Sequence, residues 1–120
     1  MSESETGTTP TSAPVPATTI HEAELAPGPS GAVWYGAEID FDSAVARRKA
    51  GLDVVVRGQD ADANRRLASQ IEAGVGPPSR PQPPERRAGP LALPHFHQRS
   101  RNPKGHLFYE TENRKVRKRP

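Results

Sequence analysis

Proline divides this chain before any other feature is considered. Five prolines lie in residues 1–30 and eight in residues 77–103, while residues 31–76 contain none. Each proline lacks the backbone N–H that a helix interior or a central strand needs, and its ring fixes φ. Regular structure is therefore expected to start near Val33 and to be interrupted after Gly76. At 120 residues the chain has room for one small domain, and about eighty residues of it carry the side chains of a core.

Residues 1–32 are dominated by Ser, Thr, Pro, Ala and Gly, with few large apolar groups. Such a segment cannot offset the entropy of ordering its backbone, so it is expected to be a disordered tail with His21 a bystander. Val33 to Ile39 (VWYGAEI) alternates like a strand. A short helix, DSAVARRKAG, follows it, with acids at the N-terminal end, Arg47, Arg48 and Lys49 at the C-terminal end, and Phe41, Ala44 and Val45 as its apolar stripe. Leu52 to Val56 (LDVVV) reads as a central strand. In the next helix, ADANRRLASQIEAG, capped by Asp60 or Asp62, Ala63, Leu67, Ala68, Ile71 and Val75 share a face.

The Pro-rich stretch at residues 77–90 (PPSRPQPPERRAGP) is expected to be an extended connector. Leu91 to Gln98 and His106 to Thr111 then read as the two arms of a β-hairpin, with turn chemistry at Asn102-Pro103 and Gly105. The expected architecture is α+β: a β-α-β-α unit, a Pro-rich linker and a C-terminal β-hairpin, forming a domain over residues 33–112, with a basic tail at 113–120.

Charge is graded along the chain. Residues 1–30 carry four acids and no Lys or Arg, residues 31–76 carry seven acids and six bases, and residues 77–120 carry three acids and eleven bases, a net +8. A polyanionic partner would therefore meet the C-terminal third. Arg86, Arg87, Arg99, Arg101, Lys104, Arg114 and Lys115, interleaved with Phe96, Phe108 and Tyr109, are the candidate nucleic-acid contacts. Aromatic rings among cations suit unpaired bases, so RNA ranks ahead of DNA. The solvated-tail reading suits Arg117 to Arg119 best.

Three of the four histidines, His95, His97 and His106, lie in the same region. Residues i and i+2 of a strand share a face, so His95 and His97 are expected to point one way and Phe96 the other. A hairpin through residues 98–105 would return His106 beside His97. Imidazoles so gathered suit two chemistries: acid/base catalysis of RNA cleavage without metal, or, with Glu110, coordination of a divalent ion such as Zn²⁺ that activates water. The spacing is compatible with both. A third stretch, Val54 to Asp60, leads a strand into a helix N-terminus, but Asp60 and Asp62 would repel a phosphate there, and capping explains them better.

The absence of cysteine removes disulfides, thiolate metal sites and cysteine nucleophiles, and fits a reducing compartment. No apolar run reaches the length of a membrane span, and the N-terminus lacks the basic start and apolar segment of a signal peptide, so no membrane association and a cytoplasmic location are expected of the chain as written.

ALPHFH (Ala92 to His97) and GHLFYET (Gly105 to Thr111), placed at the C-terminal end of a short α/β unit, resemble the compact nuclease-type toxin domains of bacterial polymorphic-toxin systems. The likeness covers about residues 33–116 in layout and some twenty residues in text. It implies an RNA-cleaving effector with His95, His97 and His106 at the active site, Arg99, Arg101 and Lys104 on phosphates, and a neutralising protein partner. GHLFYETENRK also resembles the strand and basic turn of a small rRNA-binding ribosomal protein. The other reading of the residues is a non-catalytic module that docks on RNA, the ribosome or an acidic protein through its basic segment.

Overall fold

In the computed structural model, which describes residues 18–85 and 89–120, the chain forms a mixed α+β fold. Its elements are β1 (Thr19–Leu25), β2 (Val33–Ile39), α1 (Phe41–Lys49), β3 (Val54–Arg57), α2 (Ala61–Val75), β4 (His95–Phe96), β5 (Leu107–Tyr109) and β6 (Arg117–Lys118). The six strands form one sheet in the order β4-β5-β3-β1-β2-β6.

The expected β-α-β-α unit is present, but the segment read as tail is its centre. β1 lies antiparallel to both β2 and β3 and separates them. The 1–32 boundary is therefore corrected: Ile20, His21 and Ala23 are buried, and only the part of the tail at residues 1–17 lies outside the described residues. The first thirty residues average to a polar composition that conceals the short strand TIHEAEL. His21 is a core histidine. Its Nδ1 is 3.0 Å from the Gly36 carbonyl and its Nε2 3.0 Å from Thr19 Oγ1, and its ring meets Tyr35 edge-on at 5.1 Å. At the other end, Arg117 and Lys118, expected in a loose tail, pair in parallel with Trp34 and Tyr35.

Both helices cover one face of the sheet. Ile20, Val54, Val56, Phe96, Leu107 and Tyr109 point into that layer and meet Ala44, Ala68 and Ile71. The opposite face holds Ala23, Val33, Val55 and Phe108, covered by Leu93 and Val116. The alternation Val54/Val55/Val56 and Leu107/Phe108/Tyr109 thus serves two apolar layers, as a central strand must. Leu52, read as part of the strand, is exposed. Phe41 is exposed as well, and the buried stripe of α1 is Ala44 with Arg48.

Arg48 is the polar centre of the helix layer. It was expected at the C-terminal end of the helix, where it lies, and Arg48 and Glu72 are both fully buried. Arg48 Nε donates to Glu72 Oε1 at 2.8 Å and Nη2 to Oε2 at 3.0 Å, a bidentate pair joining α1 to α2. The rest of the guanidinium donates to the carbonyls of Leu52, Lys104 and Gly105 at 3.1, 2.9 and 3.3 Å. Gln98, just after β4, donates to Glu72 Oε2 at 2.6 Å. Gly105 makes this approach feasible: its φ is +100°, and a Cβ there would lie 2.7 Å from Arg48 Nη1 and 2.9 Å from the Gly51 carbonyl oxygen. α2 is capped by Asp60, whose Oδ1 accepts from the backbone N–H of Asp62 and Ala63 at 3.0 and 3.2 Å.

Removing one partner of a buried ion pair leaves an uncompensated charge, which costs about 3–5 kcal/mol. Arg48→Met is expected to lower stability in urea denaturation by about that amount. Adding Glu72→Gln should recover part of the loss. Equal midpoints for wild type and Arg48→Met would show that the pair does not hold the helices.

Candidate functional site

β3 and β5 run parallel with Val54 opposite Leu107, so both strands start at the same end of the sheet. Continuing that register by one residue sets Asp53 beside His106. The Asp53 carboxylate accepts from the backbone N–H of His106 at 2.8 Å and stands 3.6 Å from its Nδ1. β4 pairs antiparallel on the other side of β5, with His95 opposite Phe108. Phe96 therefore enters the helix-side core, 5.7 Å from Tyr109, and the histidines lie on the other face, as the period-two argument requires.

The three histidines converge, with His95 as their hub. The His95 and His106 rings meet edge-to-face at 4.9 Å, and those of His95 and His97 are 6.1 Å apart. Phe108 forms the floor, stacked on His106 at 5.2 Å and edge-on to His95 at 5.8 Å. The expected neighbour of His106 was His97, and the contact found is with His95. β4 ends at Phe96, and the backbone of His97 turns to the Pro-rich segment, accepting from Ser79 N at 2.8 Å while its N–H donates to Ser79 Oγ at 3.2 Å.

A carbonyl oxygen can only accept, and this sets the tautomers. Nδ1 of His97 lies 2.8 Å from the Gln98 carbonyl and Nδ1 of His95 3.4 Å from that of Leu93. Both Nδ1 atoms carry hydrogen, so each neutral ring keeps its lone pair at Nε2. Burial pushes the His95 imidazole down to about 4, with further lowering from His106, His97 and Arg101, and the Leu93 carbonyl opposing them. His95 is thus a neutral acceptor at physiological pH.

The cations expected to bind nucleic acid separate into groups. Arg101 is close enough to lower the basicity of His95, and its backbone is left-handed at φ 67°, uncommon for a residue with a side chain. Arg99 shares a cleft with His97. Lys104 is exposed on the turn that Arg48 holds through its carbonyl. Arg114 also clamps the fold: its Nη1 donates to the carbonyls of Pro90 and Ala92 at 3.0 and 2.7 Å. Lys115 lines a different cleft, with Arg57 and Glu110. Arg86 and Arg87 lie outside the described residues.

Glu110 does not join the histidines. It is buried and accepts from the N–H groups of Gly58 and Val116 at 3.2 and 2.9 Å, with Arg57 3.7 Å away. Among the described residues, no group of three or more His, Asp or Glu side chains is arranged to hold a metal ion. The metal set of His95, His97, His106 and Glu110 is corrected accordingly. Asp53 is the site residue that sequence reasoning missed. Its signal is an acid at the mouth of a buried valine run, which becomes informative only once β3 and β5 are known to start together.

No protein-family model, curated protein or solved structure matches this chain. Among the described residues no helix is long and apolar enough to cross a membrane.

The depressed basicity of His95 has a thermodynamic consequence. Between about 4 and 6.5 the unfolded chain binds a proton that the folded chain refuses, so the stability due to His95 is present above pH 6.5 and is lost as pH falls through about 4. His95→Asn should flatten the dependence of melting temperature on pH across that window. Identical slopes for wild type and variant would show that His95 is not held neutral.

Proposed function

We propose that the chain is a small nucleic-acid-directed effector that cleaves RNA by histidine acid/base chemistry, as the likeness to nuclease-type toxin domains suggests. The observation that carries this reading is the contact between His95 and His106, one imidazole kept neutral by burial and the other oriented by Asp53. RNA supplies its own nucleophile. His95 Nε2 takes the proton of a 2′-hydroxyl as that oxygen bonds to phosphorus. The bond to the 5′-oxygen then breaks, and the imidazolium of His106, paired with Asp53, protonates the leaving oxygen. The products are a 2′,3′-cyclic phosphate and a 5′-hydroxyl.

A base with so low a proton affinity is poorly matched to neutral pH by itself. An anionic phosphodiester beside it favours its charged form, so full basicity develops only with substrate in place. Arg101 supplies positive charge where the phosphorane would gather negative charge. Sequestration of such an activity by an acidic protein partner fits the same basic surface.

Cleavage of single-stranded RNA by purified protein, with chelator present, tests the proposal. His95→Ala and His106→Ala should each lower kcat/KM by about 10²–10⁴-fold, the usual contribution of a positioned acid or base. Asp53→Asn should give a smaller loss. Wild-type kcat/KM should persist at about pH 5, where an unperturbed imidazole is already protonated, and decline towards about 4. Salt-sensitive RNA binding without cyclic-phosphate product would instead identify a non-catalytic binding module.

A further inference from the structure

The Pro-rich segment, expected to be a connector, is fastened along the outer edge of β4. Gln82 N donates to the His95 carbonyl at 2.8 Å, His95 N donates back to Gln82 O at 3.1 Å, and Arg99 N donates to the Pro77 carbonyl at 2.9 Å. Together with Ser79 on His97, these bonds make the segment an irregular extra strand, bridged at Pro78 to Gln98 and at Gln82 to His95. Prolines at 77, 78, 81, 83 and 84 cannot donate, so the non-proline residues between them make the contacts.

Beside the histidine cluster lies an open cleft of about 600 Å³ lined by Ser79, Arg80 and Gln82 of this segment and by His97 and Arg99. Among the described residues, no carboxylate lines it. Arg47, Arg48, Arg57, Arg65, Arg114 and Arg119 are all engaged by acids or carbonyls. Among the described residues, the guanidinium groups of Arg80 and Arg99 make no hydrogen bond or ion pair. Both are exposed, and both line this cleft. His97 adds the one ring nitrogen that its bond to Gln98 leaves open, Nε2. Two unengaged guanidinium forks and an imidazole nitrogen in a cleft without an acid make a recognition set for a phosphodiester, whose oxygens a fork can bridge in pairs.

We propose that Arg80 and Arg99 form a phosphate subsite for the phosphodiester adjacent to the one cleaved, so that the substrate is a polynucleotide strand with at least one phosphate beyond the scissile bond. This rests on the catalytic reading of the neighbouring histidines, but it makes its own prediction about binding. Length of the strand, rather than base identity, sets the gain in affinity.

The test uses the full chain and uncleavable single strands carrying 2′-deoxy sugars, two and four nucleotides long. Wild type should bind the longer strand on the order of tenfold more tightly, and Arg80→Ala/Arg99→Ala should lose that increment, with the salt slope for the longer strand falling by about 0.7 for each phosphate contact removed. Arg117→Ala/Lys118→Ala removes equal charge from the exposed edge strand β6 and should leave the increment intact. Equal loss in both double variants would mean general attraction and would overturn the subsite. With cleavable RNA, Arg80→Ala should raise KM for the longer strand and leave dinucleotide cleavage unchanged. Cleavage that is wild-type on both lengths refutes the subsite while the catalytic reading stands. A length increment lost in Arg80→Ala/Arg99→Ala, from a wild type that cleaves nothing, keeps the subsite and refutes catalysis.

Discussion

The buried pair of Arg48 and Glu72 is the interaction on which the remainder of the structure depends. Taking two charges out of water is expensive, and the cost is offset only when every donor and acceptor finds a partner. Here the guanidinium bonds to both carboxylate oxygens and to three backbone carbonyls, two of them in the turn just before β5. Gln98 adds the end of β4 to the same carboxylate. One polar cluster thus ties α1, α2 and both ends of the connection that carries the histidines. An apolar cluster of similar volume would pack, but it would not dictate where residues 98–105 run, because dispersion has no direction and hydrogen bonds do.

The candidate site inherits its geometry from that anchoring. His106 follows the held turn directly, and the parallel alignment of β3 and β5 sets Asp53 against it. Phe96 and Phe108 enter opposite layers of the core, so the strands that carry His95 and His106 cannot slip by one residue without exposing an aromatic ring. The histidine contact is therefore fixed by packing on both faces of the sheet. Arg101, strained at positive φ, sits in the turn between them, where the structure holds a conformation that the residue alone would seldom adopt.

Much of this was legible in the chain itself. The proline-free window contains both helices and two of the strands, because propensity, capping by Asp60 and apolar spacing agree there. The alternation of Phe96 with the histidines and of Leu107 with Phe108 announced which side chains share a face. What escaped were elements whose signals are short or whose stabilisation is remote. β1 is seven residues of modest hydrophobicity inside a polar composition, and it orders because both of its edges are paired. The Pro-rich segment lacks donors at positions 77, 78, 81, 83 and 84, yet the few it retains match the free edge of β4. Arg48 and Glu72 look like ordinary surface charges until the helices are brought together.

The sequence by itself determined the mixed α/β character, the helix limits, the gathering of histidine and arginine into the last third, and the sides to which the strand residues point. These follow from period, capping and charge, which act over a few residues. Only the tertiary structure decided that β1 sits at the centre of the sheet, that His106 meets His95 and Asp53, that Glu110 and Arg114 serve the fold, and that Arg80 reaches the site. Those outcomes depend on which strand edges meet and which buried charges pair, and both are contacts between residues tens of positions apart that no local pattern encodes.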